Sequence, residues 1–206
     1  MKATMNKHNG GCFGGSPTRK QSLYLVSYCH PACTPMKSIT ALTKEDAFAA
    51  AERLSSANTG TAFNRFGKDF AAYYEHRLRA EQWLYDGFTA KGGNPQTRHP
   101  LYFVLEGSGY LSDWFGGGRE TKIPLDCIAP SVLSFTFGDS MSKLNAPERR
   151  PVFTAEELYV YISECGGVTE LLESIREQYT YIEAQLWLES AEGLCGSADK
   201  NKEEMK

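Results

Sequence analysis

Hydrophobic and polar positions change period several times along the chain, and each change marks an element. Ser22 to Tyr28 (SLYLVSY) is rich in β-formers, ends at Cys-His-Pro and predicts a buried strand. Thr43-Lys44-Glu45-Asp46 is a capping-box-like start, from which a helix continues through Ala47 to Leu54 until Asn58-Thr59-Gly60 breaks it. From Lys68 to Lys91 there is no proline and Gly87 is the only glycine. Phe70, Tyr74, Leu78, Leu84 and Phe88 fall near one helical face there, and Gly92-Gly93 supplies a left-handed cap.

A strand-rich middle follows. Pro100 to Glu106 and Val132 to Phe137 predict strands, with Thr121 to Leu125 a weaker one. Gly109 to Phe115 suits a short helix, ended by the glycines at 116 to 118. Thr154-Ala155-Glu156-Glu157 is a capping box opening a helix to Cys165, which Gly166-Gly167 stop. The last apolar segment, Val168 to Leu188, carries two periods. Leu172, Ile175, Tyr179, Ile182 and Leu186 recur at helical spacing, while Ile182, Ala184, Leu186 and Leu188 alternate with Glu183, Gln185, Trp187 and Glu189. With no breaker inside it, the segment predicts one long helix.

Together these elements predict an α+β fold: a small, mainly antiparallel sheet of about four strands packed with four or five helices. The Gly-, Asn-, Lys- and Ser-rich residues 1–20 predict a disordered arm and 192–206 a disordered tail, leaving 21–191 as a single domain.

Composition narrows the function classes. A chain of 206 residues buries enough surface for a core without disulfide or metal staples. The net charge of −3 supplies no global field toward nucleic acid or anionic lipid. The apolar runs have strand length, and the N-terminus has basic residues without an apolar stretch, so a cytoplasmic protein with no membrane partner is expected. Six cysteines in a chain this long, without a secretion signal, predict reduced thiols, with Cys127 and Cys165 buried.

Four clusters carry candidate chemistry. Cys29, His30 and Cys33 place soft ligands together, but no second Cys/His pair follows at finger-like spacing, so no metal is expected. Gly116-Gly117-Gly118-Arg119 invites a phosphate loop, yet a strand rather than a helix N-terminus is predicted after it, and a hairpin or lid anchored by Trp114 and Phe115 fits better. In the stretch from Tyr73 to Trp83, His76, Arg79 and Trp83 share one helical side and Arg77 and Glu81 another; a solvated charged face is expected. Closure of that face against Trp114 would instead make a polar cleft. Gly138-Asp139-Ser140 after a strand suits a tight turn or N-cap. It also resembles the Gly-Asp-Ser block of the SGNH hydrolases, which implies a nucleophilic Ser140, but no histidine follows it to serve as base.

From residue 73 onward the order of elements resembles the ADP-ribosyltransferase fold. The resemblance implies a His- or Arg-bearing strand at Tyr74 to Arg77, a helix over Ala80 to Gly93, an aromatic strand at Leu101 to Leu105 and a late strand carrying Glu183. It further implies that His76 or Arg77 holds the ribose of NAD, that Tyr102 or Tyr110 stacks on nicotinamide and that Glu183 steadies the ribosyl cation. The stretch from Trp83 to Met141 resembles small uncharacterised proteins encoded among the accessory genes of bacterial mobile elements, a resemblance that brings no catalytic residue with it.

The leading expectation is a non-catalytic accessory module that binds another protein and needs no cofactor. An NAD-using enzyme with Glu183, His76 and Arg77 as catalytic residues is the first alternative, and a serine hydrolase centred on Ser140 the second. Tyr102, Trp83, Trp114, Arg119, Asp139 and Ser140 are the residues expected to meet substrate or partner.

Overall fold

The computed structural model describes residues 22–58, 60–142, 144–146 and 148–194. The arm and nearly all of the tail expected from the sequence lie outside these residues. The described residues form an α+β fold around an antiparallel sheet of six strands: β1 (Tyr24–Cys29), β2 (Leu101–Leu105), β3 (Arg119–Pro124), β4 (Leu133–Phe137), β5 (Phe153–Thr154) and β6 (Ile182–Leu186). Their order across the sheet is β3-β1-β2-β6-β4-β5. Five α-helices accompany them: α1 (Lys44–Ala57), α2 (Phe70–Ala90), α3 (Gly109–Trp114), α4 (Ala155–Cys165) and α5 (Val168–Ile175).

Two strands exceed the expected four. Strand β5 is only two residues long, too short for a period to register. Strand β6 replaces the second half of the expected long helix. Helix α5 ends at Ile175, the amides of Gln178 and Tyr179 both donate to the Ile175 carbonyl, and the chain then enters the sheet between β2 and β4. The turn uses neither glycine nor proline, which is why the sequence hides it.

The helix signals act as their chemistry requires. Thr43 Oγ1 accepts from the Asp46 amide at the start of α1. Thr154 and Glu157 form a reciprocal capping box on α4, and Gly166 ends that helix at φ +88°.

The two sheet faces differ in kind. On one, Leu25, Phe103, Leu105, Phe135, Ile182, Ala184 and Leu186 meet Leu158 of α4 and Leu171 of α5 in the main apolar core. The opposite face carries Tyr102, Ser134, Thr136, Glu183 and Gln185, and all but the partly buried Tyr102 are buried. Register sets these in rows, Val104 beside Glu183 beside Thr136 and Tyr102 beside Gln185 beside Ser134. An antiparallel sheet ordinarily turns such a polar face to water. Here Leu84 and Phe88 of α2 pack on that side with Trp187, so the polar rows are enclosed.

Cys127 is disulfide-bonded, where the sequence reading expects a free buried thiol, whereas Cys29, Cys33 and Cys165 are free. No helix among the described residues is long and apolar enough to cross a membrane.

Candidate functional site

The enclosed polar rows form a bonded network because each side chain needs partners once water is excluded. Trp187 Nε1 donates to Ser134 Oγ at 2.9 Å, and Ser134 donates to Gln185 Oε1 at 2.9 Å. Gln185 Nε2 donates in turn to Glu183 Oε1 at 2.9 Å and to Thr136 Oγ1 at 3.2 Å. The Ser140 amide, from the turn after β4, also reaches Glu183 Oε1, at 3.3 Å. Glu183 is thus fixed from two sides.

Its charge state is unusual. Burial, reinforced by the nearby negative charge of Asp139, pushes the Glu183 carboxyl from about 4.5 up to about 7. Arg77 and the two hydrogen bonds pull the other way and only partly offset this. Such a group holds or releases a proton near neutral pH.

Glu183 lies at a cleft of about 420 Å³ between the sheet, α2 and α3. Tyr73 and Arg77 come from α2, Arg65 from the turn before it, Tyr102 and Val104 from β2, and Tyr110, Trp114 and Phe115 from α3 and its end. Asp139, Met141 and Tyr181 line it beside Glu183, and Val26 to Tyr28 of β1 line it as well. Tyr110 and Trp114 stack at 6.1 Å and are exposed, at 54% and 36%.

Arginine 77 is held rigidly. Its guanidinium lies 3.7 Å from the Tyr102 ring centre, and its Nε donates to Glu81 Oε1 at 3.3 Å. Burial works against its charge, but Tyr102, Tyr73, Glu81 and Glu183 outweigh this and raise its pKa. The Arg77–Glu81 pair is not the solvated surface pair expected from i, i+4 spacing: the Glu81 side chain is 2% exposed. Glu81 also accepts from Thr40 at 2.8 Å, from His99 Nδ1 at 2.7 Å and from Tyr102 at 3.3 Å. Arg65 is carried on aromatic faces instead, 4.5 Å from the Phe66 ring centre.

The candidate residues therefore divide. Glu183, Arg77, Tyr102, Trp114 and Asp139 line one cleft, together with Tyr110. His76 does not line it; its Nε2 donates to the Met141 carbonyl at 2.8 Å and pins the turn. Ser140 is 1% exposed, its Oγ has no hydrogen-bond partner, and its contribution is the amide on Glu183. Trp83 lies beneath Arg149, whose guanidinium is 3.6 Å from its ring centre. Arg119 sits apart, on edge strand β3, in a different pocket with Lys37 and His99.

Gly116 to Gly118 lead into β3 rather than a helix, so no helix N-terminus follows them. Cys29 Sγ faces the carbonyls of His30 and Cys33, each at 3.5 Å, and the His30 ring meets the edge of Phe63. No group of three or more His, Cys, Asp or Glu suited to a metal occurs among the described residues.

Sequence reasoning missed Arg65, Met141 and Tyr181 as cleft residues, and held a cleft between the Tyr73 to Trp83 stretch and Trp114 only as its second reading. Tyr73 and Glu81 stand in the stretch from Tyr73 to Trp83, whose charged face reads as solvated, and no local pattern marks Arg65.

No family model, no curated protein and no solved structure matches this chain.

Proposed function

We propose that the chain is an enzyme acting on a small, planar, anionic molecule, with Glu183 as the group that transfers a proton. One observation carries the reading: a buried carboxyl that titrates near 7 meets a cleft whose walls are aromatic rings and two arginines. Aromatic faces favour a planar ring, which stacks on them after shedding water. Arg77 and Arg65 supply positive charge held by rings, which suits an anionic substituent. Protonated Glu183 then donates to a leaving or carbonyl oxygen, and ionised Glu183 withdraws a proton from a donor on the same ligand.

NAD belongs to this ligand class, and the ADP-ribosyltransferase-like alternative draws support from Glu183 standing on strand β6. Residues 73–77, which that layout needs as a strand, lie inside α2. The class of planar anions is therefore the proposal, with NAD as one member. The binding-module reading draws on the exposed Tyr110–Trp114 pair, whose rings would suit a protein partner.

The test is titration of the full chain with NAD, adenosine monophosphate and nicotinate, followed by tryptophan fluorescence. Binding at sub-millimolar concentration that Arg77→Gln weakens at least about tenfold supports the enzyme reading. Absence of binding by all three at millimolar concentration counts against it and leaves the binding module.

A further inference from the structure

A second pocket of about 270 Å³ adjoins the cleft and shares Tyr110, Asp139 and Tyr181 with it. Its distinctive residues are Arg149 and Arg150. Neither arginine forms an ion pair with a carboxylate among the described residues. Each guanidinium is laid on an aromatic ring instead, Arg149 over Trp83 at 3.6 Å and Arg150 over Phe137 at 4.3 Å.

The hydrogen-bonding deficit of the described residues lies in the pocket wall, at Arg149, and directly behind it, at Ser140. Among the described residues, the buried side-chain polar atoms without a partner are Ser140 Oγ and Arg149 Nη1. These two residues are bonded to each other, since Arg149 Nη2 donates to the Ser140 carbonyl. The Ser140 amide in turn donates to Glu183. Unsatisfied buried polar groups are few in folded proteins and call for an explanation. A half-buried arginine with no carboxylate bonded to it is costly for the same reason that it is a good anion receptor.

The charges of Glu183 and Asp139 favour the Arg149 cation but do not outweigh its burial, and neither carboxylate lining the pocket is bonded to an arginine there. Asp139 is turned into its own loop, accepting from the Met141 amide at 2.8 Å and from Ser142 Oγ at 3.4 Å, and Glu148 is exposed.

We infer that the pocket bounded by Arg149 and Arg150 is an oxyanion subsite, which takes a phosphate-class group carried on the same ligand whose ring lies beside Glu183. The continuity of the two pockets through Asp139 and Tyr181 sets the distance between ring and oxyanion. That the two groups belong to one molecule rests on the proposed function of the cleft; the subsite itself does not.

Inorganic pyrophosphate is the probe for the subsite and adenosine, which has a ring and no phosphate, the probe for the cleft, both measured by calorimetry on the full chain. Pyrophosphate is expected to bind, and Arg149→Lys and the exposed Arg150→Gln each to weaken it roughly tenfold, the worth of a charged hydrogen bond. Arg119→Gln, in the separate pocket on β3, should leave pyrophosphate binding unchanged, and Arg150→Gln should leave adenosine binding unchanged. Should pyrophosphate fail to bind, or bind Arg149→Lys and Arg150→Gln as tightly as the wild type, the subsite is refuted. Loss of pyrophosphate binding in Arg77→Gln alone would place the oxyanion in the main cleft and overturn the inference while leaving the proposed function standing. Failure of nicotinate and adenosine monophosphate, as well as adenosine, to bind while pyrophosphate behaves as expected would remove the cleft reading and keep the subsite.

Discussion

Arg77 stands with its guanidinium 3.7 Å from the centre of the Tyr102 ring, so a helix and the sheet centre hold one cation between them. Its charge opposes the burial that raises Glu183. Arg77→Gln should therefore push the Glu183 carboxyl above its wild-type value of about 7. Carbon-detected NMR titration of the Glu183 carboxyl checks this, and an unchanged or lower value would detach Arg77 from the site's electrostatics.

Glu183 also links folding stability to pH. Its folded value, about 7, lies above the unfolded value near 4.5, so the unfolded chain loses this proton first as pH rises. Its contribution to stability is full below the unfolded value and declines until pH passes the folded one. Urea denaturation of wild type and Glu183→Gln at several pH values should show wild type losing about 3 kcal/mol relative to the variant across that window, then no further change.

Glu81 bonds Arg77, His99, Thr40 and Tyr102 at once, at 2% side-chain exposure. Glu81→Leu leaves those groups without their carboxylate and should cost about 3–5 kcal/mol in urea unfolding. Glu81→Gln keeps the shape and part of the bonding and should cost less. Equal, small losses for both would mean that the carboxylate is dispensable.

The legibility of the fold and of the site differed for a physical reason. Strands β2 and β4 and helix α2 announce themselves by composition or period and by their bounding residues, and helix α4 by its capping box as well. Strand β6 does not, since Ile182 and Leu186 fit a helix stripe continued from Leu172 as well as they fit a strand. The site depends on that one strand. Read as helix, Glu183 is a surface acid; paired between Val104 and Thr136, it is a buried acid facing α2. Resemblance to the ADP-ribosyltransferase layout singled out Glu183 and i, i+4 spacing paired Glu81 with Arg77, whereas nothing in local spacing pointed to Arg65 or Arg149. Their roles come from which rings and carboxylates the tertiary fold places against them.

The turn that brings the Ser140 amide to Glu183 begins at Gly138, at φ +71°. An added Cβ there would lie 2.9 Å from Cδ1 of Tyr179. Gly138→Ala should destabilise the fold by roughly 1–3 kcal/mol through backbone strain and this contact. By loosening the Ser140 bond, which favours the ionised carboxylate, it should also raise Glu183 further. Thermal denaturation together with the carboxyl titration separates the two effects.

The central claim is that Glu183 is a proton-transfer group at a ligand cleft, and direct titration of its side-chain carboxyl in the full wild-type chain tests it most closely. A midpoint near 7, displaced when a planar anion such as adenosine monophosphate is added, is the predicted result. A midpoint near 4.5 that no such anion moves would contradict it, leaving Glu183 an ordinary acid in a structural network.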